Sequence, residues 1–170
     1  NYVEERVVFD GKETTIKSEV AILATGIKYD LHKHINLTPP ADFLDCSQVQ
    51  VYGESDGEIE IFVGNGVAPH SFAWVVPLRE KKLRIGLSTY KDSPSFLKSF
   101  LKYLKLKGRI NEESFDIIRR PVPLGAIKNT YACRILVVGD AAGQVKPTTG
   151  GGIYFGLLCA DLAAKTITDA

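Results

Sequence analysis

The sequence contains no methionine at all, and it opens on Asn1. An initiator methionine is normally trimmed only before a small residue, and asparagine is not one. The expectation is therefore that translation does not begin at Asn1 and that the 170 residues are part of a longer protein. Cysteine is scarce: Cys46, Cys133 and Cys159 show neither a CxxC pair nor Cys/His spacing for a metal. An odd count without a secretory segment favours a reducing, cytoplasmic setting. There is no excess of charge, with 21 basic against 20 acidic residues and a net charge of +1, which gives no handle for nucleic acid. No apolar run reaches the length of a membrane span. What is present is 45% apolar and 24% charged, enough to fill a core.

Two kinds of strand pattern alternate along the chain. Val7–Phe9 and Thr14–Ile16 flank Asp10-Gly11, a hairpin turn dipeptide. Val20–Gly26 is a continuous apolar run closed by small residues, which predicts a strand buried on both faces. Asp30–Asp45 reads as a loop, with His32 and His34 on its surface. From Ser47 the period becomes two. Residues 48–52, 58–63, 71–78 and 82–90 predict four antiparallel strands with one polar face. Ser93-Pro94 then opens a helix, with Ser93 as its cap and an apolar stripe of Phe96, Leu97, Phe100, Leu101 and Leu104. Lys98, Lys102 and Lys105 fall outside that stripe and Gly108 ends the helix. Residues 119–125 are stiff and extended, and Tyr131–Val138 predicts a second buried strand.

The stretch richest in chemistry runs from Gly139 to Gly152, GDAAGQVKPTTGGG, followed by a helix to Thr168. Asp140, at the end of a strand, can accept hydrogen bonds from ligand hydroxyls such as those of a sugar-alcohol chain. The amides at Gly150–Gly152 are expected to open the helix, where unpaired N–H groups and the macrodipole favour negative charge. No Cβ blocks a ligand there. Gly152, Gly156, Ala160 and Ala164 predict a ridge of small side chains.

These residues carry a resemblance. GDAAGQVKPTTGGGIYFGLLCA, residues 139–160, resembles the second FAD-contacting motif of the para-hydroxybenzoate-hydroxylase-like flavoproteins, and the geranylgeranyl reductase branch in particular. Ala21–Gly26, AILATG, resembles the strand and turn near the adenosine half of FAD in that family. Pro69–Pro77 resembles its Pro-x-x-Tyr-x-Trp-x-Phe-Pro signature, with Phe72 in place of Tyr and Val76 in place of Phe. The resemblance implies a mixed α+β and α/β fold. A partial FAD-binding domain (residues 1–29 and 119–170) carries an inserted antiparallel-sheet substrate domain (30–118). It implies FAD held by Gly139, Asp140, Pro147, Gly150, Gly151, Thr25 and Gly26, and an isoprenoid chain walled by Phe72, Trp74 and Val76. The implied activity is reduction of C=C bonds in geranylgeranyl chains by hydride from reduced FAD. No proton donor and no electron donor is named. The implied place is the cytoplasm, with possible peripheral membrane contact. Two other readings stay open: a flavin monooxygenase or electron-transferring dehydrogenase of the same fold, and a lipid-binding or interaction module without catalysis.

The family's Gly-rich pyrophosphate loop is not among these residues. The 170-residue chain purified alone is therefore expected to bind FAD weakly or not at all, and to show no visible flavin absorbance. A tightly held yellow flavin would contradict this.

Overall fold

The computed structural model describes residues 2–112, 114–146 and 148–169. In chain order its first strands are β1 (Val3–Phe9), β2 (Lys12–Ser18) and β3 (Ala21–Leu23), followed by helix α1 (Asp30–His34). Then come β4 (Phe43–Tyr52), β5 (Glu60–Val63), β6 (Phe72–Pro77), β7 (Lys82–Thr89) and helix α2 (Ser93–Leu106). β8 (Ile118–Pro123), β9 (Tyr131–Ala132), β10 (Ile135–Val137), a 3-10 turn at Gly139–Ala142 and helix α3 (Ile153–Thr168) complete the order. The chain forms two compact units. The first combines Asn1–Asp42 with Pro123–Ala170, and the second is Phe43–Val122.

In the first unit, β1 and β2 pair in register from Val3↔Ser18 to Phe9↔Lys12. Asp10 and Gly11 both take positive φ, as a turn matched to strand twist requires. β3 pairs in parallel with β10, and β10 pairs antiparallel with β9. Four expectations change here. β3 has three residues and a neighbour on one side only, so Ile22 is half exposed rather than buried. The expected strand Tyr131–Val138 is broken by Cys133-Arg134, both at positive φ, into the hairpin β9–β10. The segment read as a loop holds α1, and its His32 is fully buried rather than on the surface. His34 is exposed. Residues 30–42, expected in the inserted domain, belong with the first unit because α1 grips the turn at 139–142.

The second unit is one five-stranded sheet in the order β5-β6-β7-β4-β8. The fifth strand was not expected. β8 lies on the edge, where Pro121 gives up an amide that an edge strand can spare. Alternation sends Val49, Val51, Ala73, Val75, Leu83, Ile85 and Leu87 to one face. There they meet Leu97, Phe100, Leu101 and Leu104 of α2, all at most 3% exposed. Each fully buried side chain of this size contributes about 1.5–3 kcal/mol.

The start of α2 is capped differently from the expectation. The residue before the helix is Asp92, at φ 59, and it offers no side-chain cap. Instead the Ser93 N–H donates to Asp45 Oδ2 of β4 at 2.9 Å. Arg119 of β8 donates to both Asp45 oxygens, at 2.6 and 2.9 Å. The Ser93 hydroxyl is buried against that of Ser47 at 2.6 Å. Burial pushes the Asp45 carboxyl up, but the Arg119 guanidinium and the Ser93 donors outweigh it and hold the group below the usual carboxylate range. Beside it, burial and the Asp45 charge push the Cys46 thiol up to about 11.

Asp45→Ala removes this borrowed cap and is expected to cost about 1–2 kcal/mol in urea unfolding at neutral pH. A carboxyl whose folded pKa is depressed stabilises fully above its unfolded value and loses that contribution as pH falls through the folded value. The wild type should therefore lose stability more steeply below about pH 4 than Asp45→Ala does. Equal acid slopes would remove Asp45 from this role.

Candidate functional site

β3 and β10 run side by side through Ala21↔Ile135, Ile22↔Leu136 and Leu23↔Val137, and the Val138 N–H extends the ladder to Leu23 O at 3.1 Å. Just past their carboxyl ends come Thr25-Gly26 on one strand and Gly139-Asp140 on the other. The crevice beyond the carboxyl ends of parallel strands is the usual ligand position in α/β sheets. Thr25 and Gly26, 114 positions from Gly139 and Asp140 or close to it in the sequence, are thus brought to one end of the same sheet.

The turn at Gly139–Ala142 spends all its carbonyls on the protein. Gly139 O accepts from the Gln144 N–H at 3.0 Å. Asp140 O accepts from the Gly143 N–H at 3.0 Å and from the Tyr29 hydroxyl at 3.1 Å. Ala141 O accepts from His32 Nε2 at 2.7 Å, which fixes the proton on that nitrogen. Ala142 O accepts from the Ile127 N–H at 3.0 Å. The Gly139 N–H donates to Gln144 Oε1 at 2.7 Å. Tyr29 and Gln144 were not singled out from the sequence, and His32 was read as a surface histidine. Nothing in the pattern ties Tyr29 or His32 to a turn more than 100 residues away, whereas Gln144 lies inside the motif. Burial, then the Asp140 charge, pushes the Tyr29 hydroxyl up, so it stays a donor.

With the backbone so occupied, the Asp140 carboxylate accepts no hydrogen bond from the described residues. It lies against Gly152, where an added Cβ would stand 3.1 Å from Oδ1. Gly152 is the residue that caps α3, so the carboxylate sits beside the helix start. Sequence reasoning placed these two features in one pocket but did not place them in contact.

The glycine run plays a different part from the one expected. The Gly150 N–H donates to Lys146 O at 2.9 Å, closing a turn with Gly150 at φ 67. Gly151 O accepts from the Lys146 N–H at 3.1 Å. The helix opens at Ile153, so its unpaired amides begin after Gly150. Pro147 lies outside the described residues. The small-residue ridge is also redrawn. Gly152, Gly156, Cys159, Ala163 and Ile167 face inward, while Ala160 and Ala164 are exposed. At Gly156 a Cβ would stand in ordinary contact with Gly139 Cα, at 3.8 Å.

Phe72, Trp74 and Val76 share the face of β6 opposite Ala73 and Val75, which are buried under α2. All three are half-buried, and the Phe72 and Trp74 rings lie 5.8 Å apart. The strip continues onto β5 through Ile61 beside Trp74 and Val63 beside Phe72, 55% and 74% exposed. Period-two reading of residues 58–63 contained that signal.

No family model matches the chain. Curated relatives do. The chain is 32% identical over 95% of its length to a digeranylgeranylglycerophospholipid reductase of Methanocaldococcus jannaschii. It is 35% identical over 96% of its length to digeranylgeranylglycerophospholipid reductase 2 of Methanothermobacter thermautotrophicus. In both cases it spans 45% of the relative, about half its length. Among solved structures, a geranylgeranyl bacteriochlorophyll reductase-like protein of Thermoplasma acidophilum superposes with a TM-score of 0.79 at 17% identity, over 96% of this chain and 46% of that one. A flavin-dependent halogenase superposes with a TM-score of 0.71, also at 17% identity, over 96% of this chain and 32% of that one. The fold is therefore that of flavin-dependent enzymes.

Two glycines at the site separate backbone strain from lack of space. Gly143 has φ 65, and a Cβ there would overlap the Gly125 carbonyl oxygen and stand 2.9 Å from its carbon. Gly26 has φ 62 but nothing within 4 Å. Gly143→Ala should cost about 2–4 kcal/mol, and Gly26→Ala about 1 kcal/mol from strain alone. Denaturant unfolding of the two variants checks the difference, and equal losses would contradict the close approach at Gly143.

Proposed function

We propose, on the premise that this chain is a homologue of the geranylgeranyl reductases, that the protein is an FAD-dependent reductase. Its reaction is saturation of C=C bonds in the geranylgeranyl chains of isoprenoid lipids or their precursors. The observation that carries this reading is the Asp140 carboxylate. It is free of donors from the described residues, in a turn whose carbonyls are all occupied, and it stands beside the start of α3.

The residues fit such a cofactor. A carboxylate without donors among the described residues suits the hydroxyls of a ribityl chain. The amides that open α3 suit the negatively charged edge of a reduced ring, and Gly151 and Gly152 leave the approach without a Cβ. Gly139 and Gly150 shape the backbone on either side, at φ 68 and 67. Thr25 and Gly26, at the end of the neighbouring parallel strand, would lie toward the adenosine half. The Thr25 hydroxyl already donates to Lys28 O at 2.8 Å, so toward a ligand it acts as an acceptor. Pro147 completes this proposed set. When bound and reduced, FAD supplies the hydride for the double bond.

Phe72, Trp74 and Val76, extended by Ile61 and Val63, would hold the hydrocarbon chain. These side chains offer it no hydrogen-bonding group except the indole N–H, so an apolar ligand displaces water there without leaving a polar partner unpaired. No helix among the described residues is long and apolar enough to cross a membrane. Contact with a lipid substrate would accordingly be peripheral, and the exposed Lys98 and Lys102 of α2 are compatible with an anionic surface. The fold by itself also suits oxygenating flavoenzymes. The naming of the relatives as reductases, at nearly twice the sequence identity of the halogenase, favours reduction.

The test is a product assay on the protein as its gene encodes it, supplied with FAD, a chemical reductant and a digeranylgeranyl glycerophospholipid. Mass spectrometry should find two added hydrogens for each double bond consumed. Oxygen or halogen in the product, or unchanged lipid beside a turned-over quinone, would overturn the proposal.

A further inference from the structure

On the sheet face of the second unit that turns away from α2, side chains stand in three rows across the strands. Val63 and Phe72 form the first. Ile61, Trp74, Gly86 and Gln48 form the second. Val76, Arg84 and Gln50 belong to the third. The middle row has a gap at Gly86, and the Trp74 ring fills it. A Cβ on Gly86 would overlap Cζ2 of Trp74, stand 2.6 Å from Cε2 and 2.9 Å from Gln48 Cβ. The indole thus leans over β7 and rests on the Gly86 backbone.

Gly86 is not there for its conformational freedom. It lies inside β7 and is absent from the positive-φ glycines. A strand residue of this kind accepts any side chain on backbone grounds, so what the position demands is space.

We infer that Gly86 determines prenyl chain-length selectivity by letting Trp74 lie down on the sheet; the inference rests on the lipid reading above. With the ring down, the strip from Val63 and Phe72 to Val76 is continuous. The first and third rows are four residues apart along β6, about 13 Å. A long prenyl chain must cross all three rows. A methyl group at position 86 meets a rigid ring, not the end of a flexible side chain, so the indole has to rise from the sheet. Raised in the middle row, it divides the strip. A long chain then loses contact on one side, while a shorter one settles on either half.

Trp74 is the sole tryptophan of the chain, so its emission reports on this face alone. Geranylgeraniol and farnesol are titrated into the 170-residue chain and into Gly86→Ala, with emission and calorimetry as readouts. The wild type should bind geranylgeraniol about tenfold more tightly than farnesol, from burying part of one extra isoprene unit. Gly86→Ala should red-shift the emission of the free protein and bring that ratio close to one. An unshifted emission, or an unchanged ratio, overturns the inference. If the wild type binds neither alcohol, the lipid reading fails and takes the selectivity claim with it, while the emission shift still reports whether the ring has moved. Should Gly86→Ala fold poorly, Gly86→Ala with Trp74→Phe decides the matter. The smaller ring clears the methyl and restores folding if the clash is with the indole, and failure to restore it counts against the inference.

Discussion

The first unit depends on one short parallel pairing. β3 and β10 share three residue pairs, and these join parts of the chain more than 110 residues apart. Closing so long a loop is entropically costly, though the cost grows only logarithmically with length. The second unit reduces that burden by folding on itself. It begins with β4 and ends with β8, which are neighbours in its sheet. The chain therefore leaves and re-enters the first unit at one place, and the Leu124 N–H to Asp42 O bond of 2.9 Å ties the two crossings together. Asp45, three residues further on, binds Arg119 of β8 and the start of α2. A single cluster thus joins β4, the edge strand β8 and the start of α2 within the second unit.

What could be read from the sequence was whatever depends on near neighbours. Asp10-Gly11 specifies its turn by local conformational preference, and the strands at 48–90 show their alternation because one face is packed and the other is not. The apolar stripe of α2 is legible for the same reason. Distant partners left no trace. Asp45 reads as a polar break before a strand, and only Arg119 and Ser93 explain why a carboxylate starts β4. His32 reads as a loop residue, and only Ala141 explains its burial. Cys133-Arg134 makes a tight turn without the glycine or asparagine that would announce one, so the segment read as one strand concealed two. β8 escaped because its prolines speak against a strand, which holds for central positions and not for an edge.

The same division runs through the site. The order of Gly139, Asp140 and the later glycines was visible, but the use of each amide was not. Gly150 serves the turn and not the helix start: its N–H is consumed by Lys146 O, and the helix opens three residues later. Asp140, by contrast, gains from its placement. Its carboxylate stands beside the positive end of α3 and accepts no hydrogen bond from the described residues, which leaves its oxygens open to a ligand's donors. The same helix start offers donors to a second group. Acceptor and donors side by side suit a ligand that carries hydroxyls and an electron-rich edge together.

The acceptor is the Asp140 side chain, but the turn that presents it and the donors of α3 are backbone. Gln144, Gly143, Ile127, Tyr29 and His32 satisfy the carbonyls of that turn, and over the chain as a whole a flavin-dependent halogenase at 17% identity superposes with a TM-score of 0.71. Such a frame cannot by itself distinguish reduction from oxygenation. Discrimination has to come from side chains that meet the other reactant. On β6 the proposed side chains are Phe72, Trp74 and Val76, two of which depart from the Tyr and Phe of the signature that Pro69–Pro77 resembles. Loss of a hydroxyl at 72 and of a ring at 76 makes that face more uniformly apolar and leaves Trp74 as its largest flat surface. On the proposal above, the position of that one ring, which a side chain at Gly86 would displace, bears more directly on what the face accepts than any residue of the more legible glycine motif.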